Sequence, residues 1–271
     1  MYKEKFRLDG RVAIVTGGGR GLGKQMALAM AKNGAAVVVA ARSQGQIDEV
    51  AAEIRDGGGK GLAVATDITD RNACLALVDA AVKEFGGVHV MVNNAGIGDR
   101  RPGPQELLDY PFENWLYTFD VNLNGTFHCT QAAGKRMLEQ GQGGSIINTS
   151  SGTALRGNRG NGAYGAAKAA VIALTKTTAI NLAEHNIRAN AIVPGYVFQA
   201  PPKDDQEVDS RLARGRYIPT KRLGDAWELG ALCVFLASDA SSYVSGEIFT
   251  IDGGGLAAGY STVDFAPTYG G

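Results

Sequence analysis

Short runs of apolar and β-branched residues recur along this chain, separated by longer stretches in which apolar residues return every third or fourth position. The runs 12–16, 36–41, 62–66, 88–93, 145–149, 188–193 and 247–251 are apolar almost throughout, without the alternation of a strand that has one wet face. They predict strands of a parallel sheet covered on both sides. The stretches 21–33, 46–56, 71–85, 112–139, 163–184 and 226–238 predict helices. Strand–helix alternation implies right-handed crossovers. The expected fold class is therefore α/β, a Rossmann-type doubly wound parallel sheet of seven strands with helices on both faces. No linker or fixed-period repeat divides the chain, so 1–271 is expected to form a single domain.

Two segments break the rhythm. Residues 96–111 follow the fourth strand and are polar and proline-bearing; residues 196–223 follow the sixth and are long and charged. Ligands in such sheets bind at the carboxyl ends of the strands. Both segments leave from those ends, so both are candidate walls of a crevice, and 196–223 is a candidate lid. The tail 256–271, rich in Gly, Tyr and Thr, is expected either to be disordered or to dock on a neighbouring subunit.

Composition narrows the classes. The 38 glycines are roughly twice the usual share and are not periodic, which suits many tight strand-to-helix turns. Lys and Arg balance Asp and Glu at 27 each, so nothing suggests a nucleic-acid footprint. Cys74, Cys129 and Cys233 are far apart in sequence, with no metal-ligand or disulfide spacing. Cys74 and Cys233 read as small core residues. The first seven residues carry mixed charge and lack the apolar stretch of a secretory signal, and no run reaches the length of a membrane span. The expectation is a cytoplasmic enzyme with no membrane, nucleic-acid or metal partner.

The first strand runs into Gly17-x-x-x-Gly21-x-Gly23 and then a helix. These glycines permit a tight turn and let backbone N–H groups approach a pyrophosphate at a helix N-terminus. A glycine cluster alone is a weak signal, but directly after the first strand of an alternating α/β chain it is a strong one. Gly17, Arg20, Gly21, Leu22 and Gly23 are thus candidate dinucleotide-binding residues. The second strand ends in Ala40-Ala41-Arg42-Ser43, without the acid that would bond a ribose 2′-OH. Arg42 and Arg20 instead suit a 2′-phosphate. NADP is the preferred cofactor, with NAD the alternative; in the bland reading Arg42 is simply solvated.

Ser151 follows the fifth strand, and Tyr164 and Lys168 are i and i+4 on one helix face. A Tyr-x-x-x-Lys pair alone arises by chance in many helices; behind a buried strand and a cofactor loop it is far more specific. Thr16, Asp67, Asn93-Asn94-Ala95-Gly96, Asn122, Pro194-Gly195 and Asp252-Gly253-Gly254 complete a pattern that resembles the short-chain dehydrogenase/reductase family from residue 8 to about residue 255.

The resemblance implies that Tyr164 exchanges a proton with the substrate oxygen and that Lys168 lowers the phenol's pKa and holds the nicotinamide ribose. It implies that Ser151 bonds the substrate oxygen, and that Asn122 holds a water beside Lys168. It places Asp67 and Ile68 at the adenine, Asn94, Ala95 and Gly96 at the cofactor's inner edge, and Val197 at the nicotinamide amide, and it makes Pro194 and Gly195 cofactor-binding residues too. Residues 1–95 would then be mainly the cofactor-binding half and 96–255 the catalytic half. Read without the resemblance, Ser151 caps a turn, Asn122 is a polar helix residue and Asn94 ties neighbouring strands. One departure stands out: family members often carry Thr where this chain has Gln199. Of the three histidines, His128 reads as a packing or interface residue.

Arg156, Asn158, Arg159 and Asn161, with Asp99, Arg100 and Arg101 and with Arg211, Arg214 and Arg216, hint at a polar substrate such as a sugar, polyol or hydroxy or keto acid. Equally, these arginines could face solvent or a neighbouring subunit. The expected activity is hydride transfer between a nicotinamide cofactor and a carbonyl or secondary alcohol. A 3-oxoacyl thioester reductase is the alternative within the class, given a similarity to 3-oxoacyl-carrier-protein reductases and gluconate 5-dehydrogenases. An alternative of another class is a non-catalytic NADP-binding regulator, which should lack the tyrosine or lysine. The resemblance also implies a homotetramer, with a dimer as the fallback.

Overall fold

β1 (Val12–Thr16) is buried along its whole length and lies at the centre of the sheet. It leads into α1 (Gly21–Lys32), β2 (Ala36–Ala41), α2 (Gln44–Asp56), β3 (Lys60–Ala65), α3 (Arg71–Phe85) and β4 (Val90–Asn93). Then come α4 (Phe112–Phe119), α5 (Gly125–Gln140), β5 (Gly144–Thr149), α6 (Gly162–Leu182) and β6 (Ile187–Pro194). The chain continues through β7 (Val197–Phe198), α7 (Asp205–Gly215), β8 (Gly224–Asp225), α8 (Ala226–Ala237) and β9 (Ile248–Ile251). This computed structural model describes residues 2–98, 103–157, 160, 162–200 and 202–258.

Seven strands pair in parallel in the order β3-β2-β1-β4-β5-β6-β9, the α/β Rossmann-type sheet that the apolar runs predict. The order reverses between β1 and β4, and it is at the carboxyl ends of such a switch point that sheets of this kind bind ligands. Alternate residues of each strand feed two cores. Val15, Val39 and Ile192 pack with α1 and α8; Ile14, Val38 and Ile146 pack with α3 and α5. Each such fully buried side chain contributes about 1.5–3 kcal/mol. This explains why the strands read as unbroken apolar runs.

Several boundaries depart from the pattern. The third strand starts at Lys60 and the fourth at Val90, because pairing with β2 and β1 fixes their registers rather than local hydropathy. The predicted helix 112–139 is not continuous: a π-helical turn, Asp120–Asn124, separates α4 from α5. Segment 196–223 holds β7 and α7, and β7 pairs in parallel with β8 just beyond the segment, Val197 opposite Gly224. Of the tail, residues up to Ala258 are described; the Leu256 N–H donates to the Asp252 carboxylate at 2.6 Å, and Ala258 N–H donates to Gly254 at 3.0 Å. Asp99, Arg100, Arg101, Asn158, Arg159, Asn161 and residues 259–271 lie outside the described residues. Among the described residues no helix is long and apolar enough to cross a membrane.

Candidate active site

The loop after β1 is organised by one hydroxyl. Thr16 Oγ1 accepts the Asn94 and Ala95 N–H groups, both at 3.1 Å, and donates to Val92 O at 3.3 Å. The Asn94 amide donates to the Thr16 and Gly17 carbonyls at 3.1 and 3.3 Å. Asn94 therefore does tie neighbouring strands. It also fixes the glycine loop against β4. Gly17 and Gly21 have φ of +64° and +56°, which favour glycine. A Cβ on Gly23 would collide with the Gly17 carbonyl and the Asn94 amide, so loop and helix touch backbone to backbone. The result is a cradle at the N-terminus of α1, shaped for a group that takes backbone N–H donors. This fits the dinucleotide pyrophosphate, with Leu22 in the first turn.

Just beyond β3, Asp67 Oδ1 accepts Thr69 N–H and Oγ1–H at 3.0 and 2.8 Å. The Thr69 backbone bond, and more weakly the Arg42 charge, hold the Asp67 carboxyl below its usual range. Ile68 is buried beside it. Arg20 and Arg42 are both exposed, and neither forms an ion pair among the described residues.

Lys168 is the buried cation of the crevice. It is 3 % exposed, and its Nζ donates to Thr149 O at 2.9 Å at the end of β5. Desolvation pushes its ammonium down to about 8. The Lys168 carbonyl accepts the Ser150 hydroxyl at 2.8 Å, which locks the first turns of α6 to β5. Tyr164 is half-buried one turn earlier, with Lys168 Nζ 5.9 Å from its ring centre.

Asn122 sits inside the π-helical turn and is fully buried. Its Oδ1 accepts Ile97 N–H at 3.2 Å, while its Nδ2 donates to the Ile97 and Thr118 carbonyls, both at 3.0 Å. A Cβ on Gly96 would lie 2.7 Å from Asn122 Oδ1 and 3.2 Å from Lys168 Nζ. Asn122, Gly96 and Lys168 thus converge. Ser151 Oγ accepts Thr153 N–H at 3.3 Å and lies 3.1 Å from Thr153 Oγ1, so it caps the short 3-10 turn Gly152–Ala154. The local reading of Ser151 as a turn cap is thus what the structure shows at the end of β5.

Pro194 ends β6. A Cβ on Gly195 would be 2.5 Å from Asp252 Cβ, which explains the close Pro-Gly and Asp-Gly-Gly turns. Val197 follows in β7. One further group carried no usable sequence signal. The Thr149 carbonyl is backbone and is chosen only by the approach of α6. Gln199, directly after β7, stands over the cradle: its Oε1 is 3.0 Å from where a Gly21 Cβ would be. Beside it a cavity of about 810 Å³ opens between α1, α7 and the start of α8, lined by Arg20, Gln199 and Trp227 among others. It excludes Tyr164 and Lys168 and so lies outside the reacting centre. The arginines of segment 196–223 do not converge on that centre: Arg211 bonds Glu207 at 2.6 Å and stacks 4.3 Å from the Phe198 ring, and Arg214 and Arg216 are exposed.

Residues 17–255 match a family model described as Enoyl-(Acyl carrier protein) reductase. The chain belongs to the short-chain dehydrogenase/reductase family. It is 38% identical over 252 residues to the L-rhamnose-1-dehydrogenase of Scheffersomyces stipitis, covering 91% of this chain and 96% of that one. It is likewise 38% identical over 249 residues to the 3-oxoacyl-acyl-carrier-protein reductase of Thermotoga maritima, covering 92% and 99%. A crystal structure of 7 alpha-hydroxysteroid dehydrogenase complexed with NADH and 7-oxo glycochenodeoxycholic acid superposes with a TM-score of 0.84 at 34% identity, over 93% of this chain and 97% of that one. This short-chain dehydrogenase/reductase is an NAD(P)-dependent oxidoreductase acting on CH–OH groups.

Proposed function

We propose that Tyr164 is the proton donor and acceptor of this enzyme, with Lys168, Ser151 and Asn122 arranged around it. The carrying observation is the buried Lys168 ammonium, fixed by the Thr149 carbonyl one helical turn from Tyr164. In carbonyl reduction the Tyr164 hydroxyl gives its proton to the substrate oxygen; in alcohol oxidation the phenolate takes it back. The positive charge at Lys168 stabilises that phenolate. Ser151, at the end of β5, offers a hydrogen bond to the oxygen as negative charge develops. Asn122 and Lys168, meeting at Gly96, form the proton exit toward a water. When bound, the nicotinamide cofactor supplies or accepts the hydride. The cradle at Gly17, Gly21, Leu22 and Gly23 holds its pyrophosphate, Asp67 and Ile68 flank its adenine, and Asn94, Ala95, Gly96, Pro194, Gly195 and Val197 flank its nicotinamide half.

NADP is the preferred cofactor in this reading, because Arg20 and Arg42 form no ion pair among the described residues and are assigned to the adenosine end. The substrate is polar, a reading supported by the similarity to an L-rhamnose dehydrogenase rather than by the lid arginines. A 3-oxoacyl thioester is the second reading, supported by the equal identity to a carrier-protein reductase. Residues 196–223 serve as the lid over one folded unit. The enzyme works in the cytoplasm as a homotetramer; exposed Phe112, Leu116 and Phe127 on α4 and α5 supply an apolar contact face. The experiment is a panel of sugars, hydroxy acids and 3-oxoacyl thioesters read by nicotinamide absorbance, with Tyr164→Phe as control. Turnover of one class that vanishes in the variant supports the assignment; turnover retained in the variant overturns it.

A further inference from the structure

Two thiols separated by 55 residues meet between α3 and α5. Cys129 Sγ–H donates to Cys74 Sγ at 3.5 Å, and the two residues are only 2 % and 1 % exposed. The pair is wired to the adenosine end of the crevice. Cys74 Sγ–H donates to the Ile68 carbonyl at 3.5 Å, and His128 Nδ1–H donates to the same oxygen at 3.1 Å. The Ile68 side chain in turn rests on the start of α5, where a Gly125 Cβ would be 2.6 Å from Ile68 Cδ1. Ile68 is thus held by a thiol on α3 and an imidazole on α5.

Cys233 provides the contrast. It is buried without a sulfur partner, and desolvation pushes its thiol up to about 12, which leaves it inert. At Cys74 the bond from Cys129 outweighs burial and holds the thiol below its usual value, while Cys129 is pushed up as the donor. Because Cys74 Sγ accepts the Cys129 S–H, a bond that stabilises a thiolate at Cys74, Cys74 is assigned as the nucleophile of the pair. A disulfide needs sulfurs about 2 Å apart, so an approach of roughly 1.5 Å by two packed helices closes it.

We propose that Cys74 and Cys129 form a reversible disulfide when the enzyme meets a peroxide, and that this loosens the adenosine end of the cofactor site. The Cys74 thiolate attacks one oxygen of hydrogen peroxide; the S–O bond forms, the O–O bond breaks, and the departing hydroxide leaves as water with the proton that Cys74 gave up. The Cys129 sulfur then attacks the sulfenic sulfur. The S–S bond forms, the S–O bond breaks, and the second hydroxide leaves as water with the Cys129 proton. Two electrons pass from the thiols to the peroxide, and a dithiol reductant returns them. The disulfide has no S–H to give Ile68, so its carbonyl keeps only His128. This consequence rests on the assignment of Asp67 and Ile68 to the adenine.

The test begins with fully reduced protein treated with hydrogen peroxide. Thiols titrated in denaturant should fall from three to one, and non-reducing peptide mapping should show a 74–129 link. A sulfinic acid on Cys74 without the link, or only intermolecular links, overturns the disulfide. NADP(H) affinity is then measured by nicotinamide fluorescence without substrate. Oxidation should raise Kd about two- to tenfold, the worth of one neutral hydrogen bond, with dithiothreitol restoring it and Cys129→Ser abolishing the response. A link with unchanged Kd overturns the coupling, and the wild-type mapping stands even if the variant folds poorly. Reduced protein that binds no NADP(H) would instead bring down the cofactor reading, leaving the thiol count to judge the disulfide.

Discussion

Lys168 Nζ lies 5.9 Å from the centre of the Tyr164 ring and is anchored by the Thr149 carbonyl at 2.9 Å. The anchor comes from the sheet and the ring from the helix, so the separation is fixed by how α6 packs on β5. A positive charge is thereby kept beside the phenol ring.

Replacing Tyr164 by Phe removes the proton-transferring oxygen and keeps the ring. Turnover should fall at least about 10²–10⁴-fold, while the cofactor Kd stays within twofold of wild type. Steady-state rates beside a fluorescence titration check both halves; a variant with near-normal kcat contradicts the role.

Lys168 sets a pH dependence of stability. Its folded value, about 8, is below the 10.5 of an ordinary lysine, so at neutral pH the folded state holds a proton its surroundings disfavour. That cost, on the order of 3 kcal/mol, disappears as pH rises from about 8 to 10.5, because the unfolded chain binds the extra proton there. Lys168→Met should therefore melt higher than wild type at pH 7, and the gap should close toward pH 10, while activity is lost. Calorimetry across that range decides it; a gap that widens with pH refutes the argument.

Arg42→Asp replaces an unpaired cation with a carboxylate at the end of β2. Losing one charge-assisted bond of about 1.5–3 kcal/mol lowers kcat/KM for NADP by roughly 10- to 100-fold, and the ratio should shift toward NAD. If wild-type enzyme already prefers NAD, the assignment of Arg20 and Arg42 to a 2′-phosphate fails.

Gln199→Ala tests the side chain that stands over Gly21. Removing a carboxamide beside the cradle should weaken cofactor binding about two- to tenfold, with little change in melting temperature because Gln199 is partly exposed. An unaltered Kd would show that the side chain merely rests on the loop.

Gly23→Ala places a methyl group against the Gly17 carbonyl and the Asn94 amide. Backbone cannot retreat as a flexible side chain can, so the variant should lose about 1–3 kcal/mol of stability and most of its cofactor affinity. Urea unfolding and fluorescence titration read the two effects separately.

The sheet was legible because both faces of each strand are covered: β1 and β2 begin and end where their apolar runs do. The break at Asp120–Asn124 was not, since residues 112–139 carry a continuous helical pattern and a π turn leaves no mark in periodicity. Helix α7 was hidden in a segment that reads as polar loop, because it buries little beyond Gly215. The glycine loop, Ser151, Tyr164 and Lys168 were visible as residue types at fixed spacing. Their shared neighbour, the Thr149 carbonyl, was invisible, since a backbone group has no letter of its own.

The sequence by itself determined what local rules control: apolar runs fix strands, glycine spacing fixes a turn, and an i, i+4 pair fixes two side chains on one face. Contacts between distant segments belonged to the tertiary structure. Cys74 and Cys129 look unrelated along the chain, yet packing of α3 against α5 brings their sulfurs to 3.5 Å. Gln199 and Gly21 likewise meet only because β7 pairs with β8 beside the loop. Such proximity depends on how whole elements pack, and no short-range pattern encodes it.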